Sequence, residues 1–509
     1  MAADRQGLPT AAWVAAALAL AVHLLPQPGY GFHRDELLYL AMGEHLEPFR
    51  MGFPPMIAAL AQLARALPLE LLTAIRLLPA LAVAGLVLVA AATCRALGGS
   101  RGAQGWTALT VAVAPLFLRA ATLFQPVVFE QLWWSLAVLA LARLLAGGDR
   151  RWWLGVGAAV GAGALTKFSV AFLGAGIAAA VLLTPLRAEL RTRWPWLALA
   201  LAAGLAAPSV AGQVTREWPF LAQMRALQAH QLDQMDRRDF VTGQFLMLGP
   251  GAPLWLAGLV ALLLARALRP FRALGILALT VFMLLLLGGG KAYYFGPLHP
   301  LLLAAAATVL VPWLERPGHR WAYAGAVGFL VLGGLLLLPL GVPLLPPERM
   351  AGYAAALGQG RTTQTNYGTT LALPQDFADM TGWPEQVAAV AAVFHALPAE
   401  EQSRAMILAN NYGRAGALAL FGPARGLPYP VSRHGDFYFW GTGARDGAVT
   451  IIVGGTPEQW REYWDEVTLA ARATNRWGVD EEQDVPIFVC RRPRVDLPAL
   501  FRQLGPYWG

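Results

Sequence analysis

The chain has 509 residues, of which 57% are hydrophobic and only 14% charged, well below the roughly 25% charged share of soluble domains. That excludes an ordinary soluble domain and a disordered chain, and predicts a polytopic α-helical membrane protein. The net charge of +8 does not point to nucleic acid, because the basic residues form neither a run nor a patch: up to Val342 there are 25 Lys and Arg against 14 Asp and Glu, and from Pro343 onward 14 against 17.

The apolar run Ala11–Leu25 follows Arg5 and lacks a small-residue cleavage site before Pro26, so it reads as a retained signal anchor. With about 20 apolar residues per crossing, further spans are expected near 71–97, 102–119, 129–147, 152–166, 169–186, 195–214, 246–266, 272–289, 296–313 and 321–343, about eleven with the first at 10–26. Loop charge sets the register. With the N-terminus cytoplasmic, every inner loop is basic: Arg95 and Arg101, Arg150 and Arg151, Arg187 to Arg193, Arg266 to Arg272, Arg316 and Arg320. The chain's two lysines, Lys167 and Lys291, then fall at outer ends of spans, and an odd count puts the C-terminal part outside the cytoplasmic membrane.

Three outer segments are more than turns. Tyr30 to about Glu70 holds two short helical patterns, Arg34–Leu46 and one after Pro54-Pro55, expected to lie in the interface. Thr215–Gly243 is polar and is expected as a mobile loop over the outer face, with the run Asp233-Gln234-Met235-Asp236 inside it. From Pro346 the composition turns mixed, and short β-type runs at Ala405–Ala409, Val449–Val453 and Pro486–Cys490 alternate with helical patterns, which predicts a small α/β domain over 346–509 beyond a membrane domain over 1–345. Cys94 and Cys490 form no disulfide framework, and there is no zinc-ligand spacing, P-loop, dinucleotide fingerprint or hydrolase elbow.

Four clusters share the outer face in this register. They are His33-Arg34-Asp35-Glu36, the loop from Phe124 to Glu130 with Gln125, Thr166-Lys167-Phe168, and Gly288 to Pro300 with Lys291, Tyr293, Tyr294 and His299. Charged groups clustered at a membrane boundary are costly to desolvate and mark function. A carboxylate base facing cationic and phenolic donors suits transfer from a phosphate-linked donor, one side taking a hydroxyl proton and the other stabilising a leaving phosphate. For the lysines the competing structural role is snorkelling to headgroups, and for the tyrosines an aromatic belt.

The order FHRDELLYLAMGEHL, PPMIAALAQLAR, FQPVVFEQLWW, ALTKFSVAFLGAG, KAYYFGPLHPLLLAAAA and, in the tail, NNYGRAGALALFG resembles the bacterial membrane glycosyltransferases related to protein O-mannosyltransferases and lipid A aminoarabinose transferases, of the C-type superfamily. The resemblance covers nearly the whole chain. It implies an inverting transfer of a sugar from a polyprenyl-phosphate donor to a glycan, lipid or protein acceptor on the outer side of the cytoplasmic membrane. It matches the catalytic acid to Asp35 and, less closely, its partner acid to Glu36. Lys291, Tyr293, Tyr294, Lys167, His299 and Arg34 are expected at the donor phosphate, and Gln125, Glu130 and His33 as acceptor-side or secondary polar residues.

Two departures matter. Many relatives carry His or Glu before the Pro-Pro pair, where it helps bind metal or phosphate; here the pair follows Phe53, so a divalent metal is not supported by Phe53-Pro54-Pro55. Many also carry Asp in the second outer loop, where this chain has Gln125 and then Glu130. The alternative reading is a transporter or flippase of a lipid-linked or anionic substrate, which predicts ionisable residues in mid-span and broken helices in paired halves.

Overall fold

The computed structural model describes residues 7–230, 236–358 and 369–508. Its membrane part is helical: α1 (Thr10–His23), α2 (Arg34–Glu44), α3 (Met56–Ala66), α4 (Leu71–Ala96), α5 (Arg101–Val113), α6 (Pro115–Thr122), α7 (Pro126–Leu145), α8 (Trp152–Thr166), α9 (Val170–Leu183), α10 (Trp194–Thr215), α11 (Pro219–His230), α12 (Arg237–Leu248), α13 (Ala252–Leu264), α14 (Arg272–Leu287), α15 (His299–Leu314) and α16 (Arg320–Gly341). Among the described residues seven helical segments are long and apolar enough to cross a membrane, or up to nine if α5 with α6 (bent by 55°) and α9 with the following 3-10 turn (bent by 97°) each count as one span.

The expected eleven crossings all fall on helices, but length does not support that count. Helices α1 and α8 have 14 and 15 residues, about 21–23 Å at 1.5 Å per residue, against a hydrocarbon core of about 30 Å. Exposed apolar side chains such as Leu18 on α1, Leu199 on α10 and Phe329 and Leu332 on α16 present a lipid-facing surface. The segment expected as a loop at Thr215–Gly243 is instead largely helix: α11 fills its first half, and α12 begins at Arg237 with the Asp236 side chain accepting the Arg238 amide at 2.9 Å. Residues 233–235 of its polar run lie outside the described residues.

The tail holds a four-stranded sheet of order β1 (Met406–Ala409), β2 (Val449–Val453), β4 (Asp484–Pro493), β3 (Trp464–Thr474), with β1 and β2 parallel and the other pairs antiparallel. Two of the expected β-runs are β1 and β2; the third belongs to the longer β4, and β3 has a helix-like sequence in its first residues that the sheet overrides. One hydrophobic core continues from the membrane helices through Leu37, Leu38 and Leu40 of α2 into Ala415, Ala417 and Leu418 of the tail helix Tyr412–Phe421 and the sheet residues Ile407, Ile451 and Val453. The tail is therefore docked on α2, and full burial of a side chain such as Leu37 contributes roughly 1.5–3 kcal/mol to holding it there.

Candidate active site

Helix α2 starts with a capping box. The Asp35 amide donates to His33 Nδ1 (3.1 Å), and Glu36 Oε2 accepts the His33 amide (2.8 Å). Acids in the first turn suit the helix dipole, which is the local reason for Asp35 and Glu36 at this spot. Their fates then separate. Glu36 is fully buried, its Oε1 accepts the Phe124 amide (2.9 Å), and Arg76 of α4 lies 3.6 Å from Oε2. Oε1 thus joins this loop to the one before α7, and Oε2 holds its own helix cap and Arg76 of α4. Arg76 is further held by the Gly31 carbonyl (2.6 Å) and the Gln27 side chain.

Asp35 is half-buried and bridges three parts of the chain. Its Oδ2 accepts from Gln125 Nε2 (2.8 Å) in the second outer loop, and its Oδ1 accepts from the Tyr412 hydroxyl (2.9 Å) in the tail. A carboxylate offers about four lone-pair sites, so two neutral donors orient it and leave acceptor capacity for a substrate hydroxyl. Burial, then the Asp35 charge, hold the Tyr412 phenol well above its usual range, so it stays a donor.

Tyr412 is placed by its helix. Asn411 caps it through the Arg414 amide (2.8 Å), and the buried Arg414–Glu482 pair (3.0 Å) ties it to the turn before β4, with Asn411 Nδ2 and Gln386 Nε2 filling the remaining valences of Glu482. A Cβ on Gly416 would stand 2.7 Å from Leu37 Cβ and 2.8 Å from its carbonyl carbon, so only glycine lets this helix lie against α2.

The second grouping forms where α7, α8 and the segment after α14 meet. Lys167 ends α8 and places Nζ 3.2 Å from Glu130 Oε2, 5.1 Å from the Tyr293 ring centre and 4.7 Å from that of Tyr294. Glu130 is 2% exposed and its Oε1 also accepts from Ser169. The triglycine closes α14: Gly289 takes φ +68°, a left-handed conformation that favours glycine, and the Gly290 amide donates to the Leu285 carbonyl at 2.8 Å. Lys291 follows directly. Burial, then the Lys167 charge, push its ammonium below the usual range. Tyr39 lies one turn along α2 from Asp35, and burial, then the Asp35 charge, hold its phenol well above the usual range.

Of the expected site residues, the structure thus brings together Asp35 with Gln125, and Lys167 with Glu130, Tyr293, Tyr294 and Lys291. It does not bring three others to them. Arg34 pairs with Asp379 (2.5 Å) and Glu481 (2.6 Å) of the tail, and His33 Nε2 lies 3.8 Å from Asp379, so both serve the docking of the tail. His299 is fully buried against Gln244 (3.0 Å) and the rings of Trp255 and Phe295, because the 3-10 segment Ala292–Leu298 carries it away from Lys291. Arg76, Tyr39 and Ser169 were not singled out from sequence. An arginine one turn into an apolar span was the signal for Arg76; Tyr39 and Ser169 carry none.

Phe53 packs edge-on against Trp508 at 5.5 Å, and among the described residues no three His, Cys, Asp or Glu side chains are grouped to hold a metal. The residues present do not fit a divalent cation at the Pro-Pro pair, and no step is routed through one.

The family model of dolichyl-phosphate-mannose-protein mannosyltransferases matches residues 53–211, which takes in Gln125, Glu130 and Lys167 and leaves out Asp35 and the tail. No curated protein sequence matches the chain. Among solved structures, ArnT from Cupriavidus metallidurans in the apo state aligns with TM-score 0.56 at 16% identity, covering 94% of this chain and 97% of that one. The same protein bound to undecaprenyl phosphate aligns with TM-score 0.51 at the same identity and coverage. At that identity the likeness is one of fold. The mannosyltransferase family model thus matches part of the membrane half and the fold of ArnT extends over nearly the whole chain, so the resemblance to C-type membrane glycosyltransferases holds.

Proposed function

We propose that the chain is an inverting glycosyltransferase that moves a sugar from a polyprenyl-phosphate donor to an acceptor hydroxyl on the outer side of the cytoplasmic membrane, with its N-terminus cytoplasmic, a catalytic membrane domain over 1–345 and an extracytoplasmic domain over 346–509. The observation that carries this reading is Asp35, a half-buried carboxylate oriented by Gln125 and Tyr412, together with the separate grouping of Lys167 with Tyr293 and Tyr294. The ArnT of the same fold was solved bound to undecaprenyl phosphate, which supports a lipid phosphate as the ligand class.

In this mechanism an acceptor hydroxyl donates to Asp35, which takes its proton as the oxygen attacks the anomeric carbon. A new C–O bond forms as the bond from that carbon to the phosphate oxygen breaks, inverting the centre. The electron pair leaves with the polyprenyl phosphate. Lys167 and Lys291 are two ammoniums, and that of Lys291 is destabilised by burial and then by the Lys167 charge, so an incoming phosphate offsets both costs, and tyrosine hydroxyls add donors to its growing charge. Glu130 fixes Lys167, and Glu36 with Arg76 fixes the loop that carries Asp35.

Nothing favours the transporter or flippase alternative. Purified Asp35→Asn protein should lose about 10²–10⁴-fold in turnover of a polyprenyl-phosphate hexose, the range of a general base, while Lys291→Met should chiefly weaken inhibition by free polyprenyl phosphate. Wild-type turnover by Asp35→Asn would remove the assignment.

A further inference from the structure

A cavity of about 320 Å³ that does not include Asp35 lies at the other end of α2, between α10 and the tail. Nine residues separate Asp35 from Glu44, about 14 Å along the axis at 1.5 Å per residue. Its volume falls within the range of small-molecule sites, about 300–1,000 Å³, and its wall is polar rather than greasy.

Four features of that wall point to a ligand. Asp436, 2% exposed, spends Oδ1 on the Gly52 amide (2.9 Å), while its Oδ2 is buried with no hydrogen-bond partner. Such an oxygen is costly to bury unless something donates to it. Burial pushes the Asp436 carboxyl up to about 6, against the pull of the Gly52 amide, Arg216 and the Phe53 amide. Two guanidiniums, Arg50 and Arg216, line the same wall as Glu44, Glu47 and Asp436, so neither a strong anion nor a strong cation is favoured. The fourth is aromatic: His45 stacks on Trp440 at 4.2 Å with an interplanar angle of 21°, and Arg216 stacks over Phe439 at 4.1 Å, so flat rings line the wall among the charged groups.

Carboxylates and guanidiniums in balance, set beside flat rings, suit a neutral polyhydroxylated ring, whose hydroxyls need both acceptors and forked donors and whose C–H face needs an apolar plane. The architecture keeps the wall in place. Arg216 Nε donates to the Arg50 carbonyl (2.7 Å), Gln213 Nε2 to that of Gly52 (2.7 Å), and a Cβ on Gly52 would meet Asp436 and Trp508 at 2.7 Å.

We propose that this cavity is a carbohydrate subsite in which Asp436 Oδ2 accepts a sugar hydroxyl, and that the acceptor is a glycan whose inner ring sits here while its reactive hydroxyl reaches Asp35. The binding of sugar rests on the cavity alone, and the word acceptor rests on the transferase reading above. The test is saturation-transfer NMR on the full chain in a detergent without a sugar headgroup, using methyl α-mannopyranoside, methyl β-galactopyranoside and an α-linked mannotriose as probes. At least one probe should show saturation, weakened tenfold or more by Asp436→Asn and by Glu47→Ala, whose exposed side chain can be lost without unfolding the protein, and unchanged by Asp35→Asn. Absence of saturation for all three, equal saturation in every variant, or displacement by millimolar inorganic phosphate would each overturn the subsite, the last in favour of an anion site. If the probes bind as stated but Asp35→Asn turns over normally, the subsite stands and the transferase mechanism falls; if Asp35→Asn is inactive and no probe binds, the reverse holds.

Discussion

The contact between Tyr412 and Asp35 joins the tail to the chemistry, and its removal has a calculable consequence. Tyr412→Phe keeps the ring against α2 and deletes only the O–H that donates to Asp35 Oδ1 at 2.9 Å. A hydrogen bond to a charged group contributes about 1.5–3 kcal/mol. Asp35 is half-buried, so water recovers part of that, and the low end applies. About 1.5 kcal/mol in the transition state is roughly tenfold in kcat, with the KM for the lipid donor little changed because the Tyr412 hydroxyl donates to Asp35 and not to the Lys167 grouping. The measurement is release of polyprenyl phosphate from a polyprenyl-phosphate hexose by purified protein in nanodiscs. Gln125→Met, which removes the donor to Oδ2, should cost a similar factor. Because both donors act on one carboxylate, the double variant should be non-additive in free energy. Wild-type kcat for Tyr412→Phe, or strict additivity with Gln125→Met, would refute the idea that the two donors orient a single catalytic base.

Two predictions concern docking of the tail. Gly416→Ala drives a methyl into Leu37, including its backbone, and overpacking of this kind costs about 1–3 kcal/mol; calorimetry should show a lowered unfolding midpoint, whereas Gly352→Ala, at a helical glycine with nothing within 4 Å, should leave it unchanged or raise it. Asp379, beside Arg34 and His33 and 2% exposed, has its carboxyl pushed up to about 6, mainly by burial, which the Arg34 charge only partly offsets. A carboxyl raised from 3.8 favours the folded state in its protonated form, so its contribution is full below about pH 4 and is lost as pH rises through about 6, a difference of about 3 kcal/mol. Unfolding midpoints of the wild type should therefore fall over that interval relative to Asp379→Asn; parallel curves would show that Asp379 titrates no differently in the folded chain.

Much was legible before the fold was known. Hydropathy located the helices of the membrane half, and the β-type runs of the tail located three of the four strands, because apolar periodicity is imposed by solvent and not by neighbours. Helix ends, and therefore the number of crossings, were less legible, since α1 and α8 stop short and two spans bend at their breaks.

In the outer clusters, sequence alone put Asp35 beside a membrane, Lys167 and Lys291 at span ends, and Phe53 where relatives carry a ligating residue. Only tertiary structure decided which neighbour uses each charge. Arg34, adjacent to Asp35 in the chain, turns to Asp379 and Glu481, while Tyr412, distant by 377 positions, reaches Asp35 itself. The physical reason lies in helix geometry: successive residues project about 100° apart, so α2 separates Arg34, Asp35 and Glu36 onto different faces, and what each face meets is set by long-range packing that adjacency cannot encode. The sequence determined that a charged turn follows the first apolar run; the docking of the Tyr412 helix through Gly413 and Gly416 decided that one of its carboxylates accepts from the tail while the other is buried as a tether.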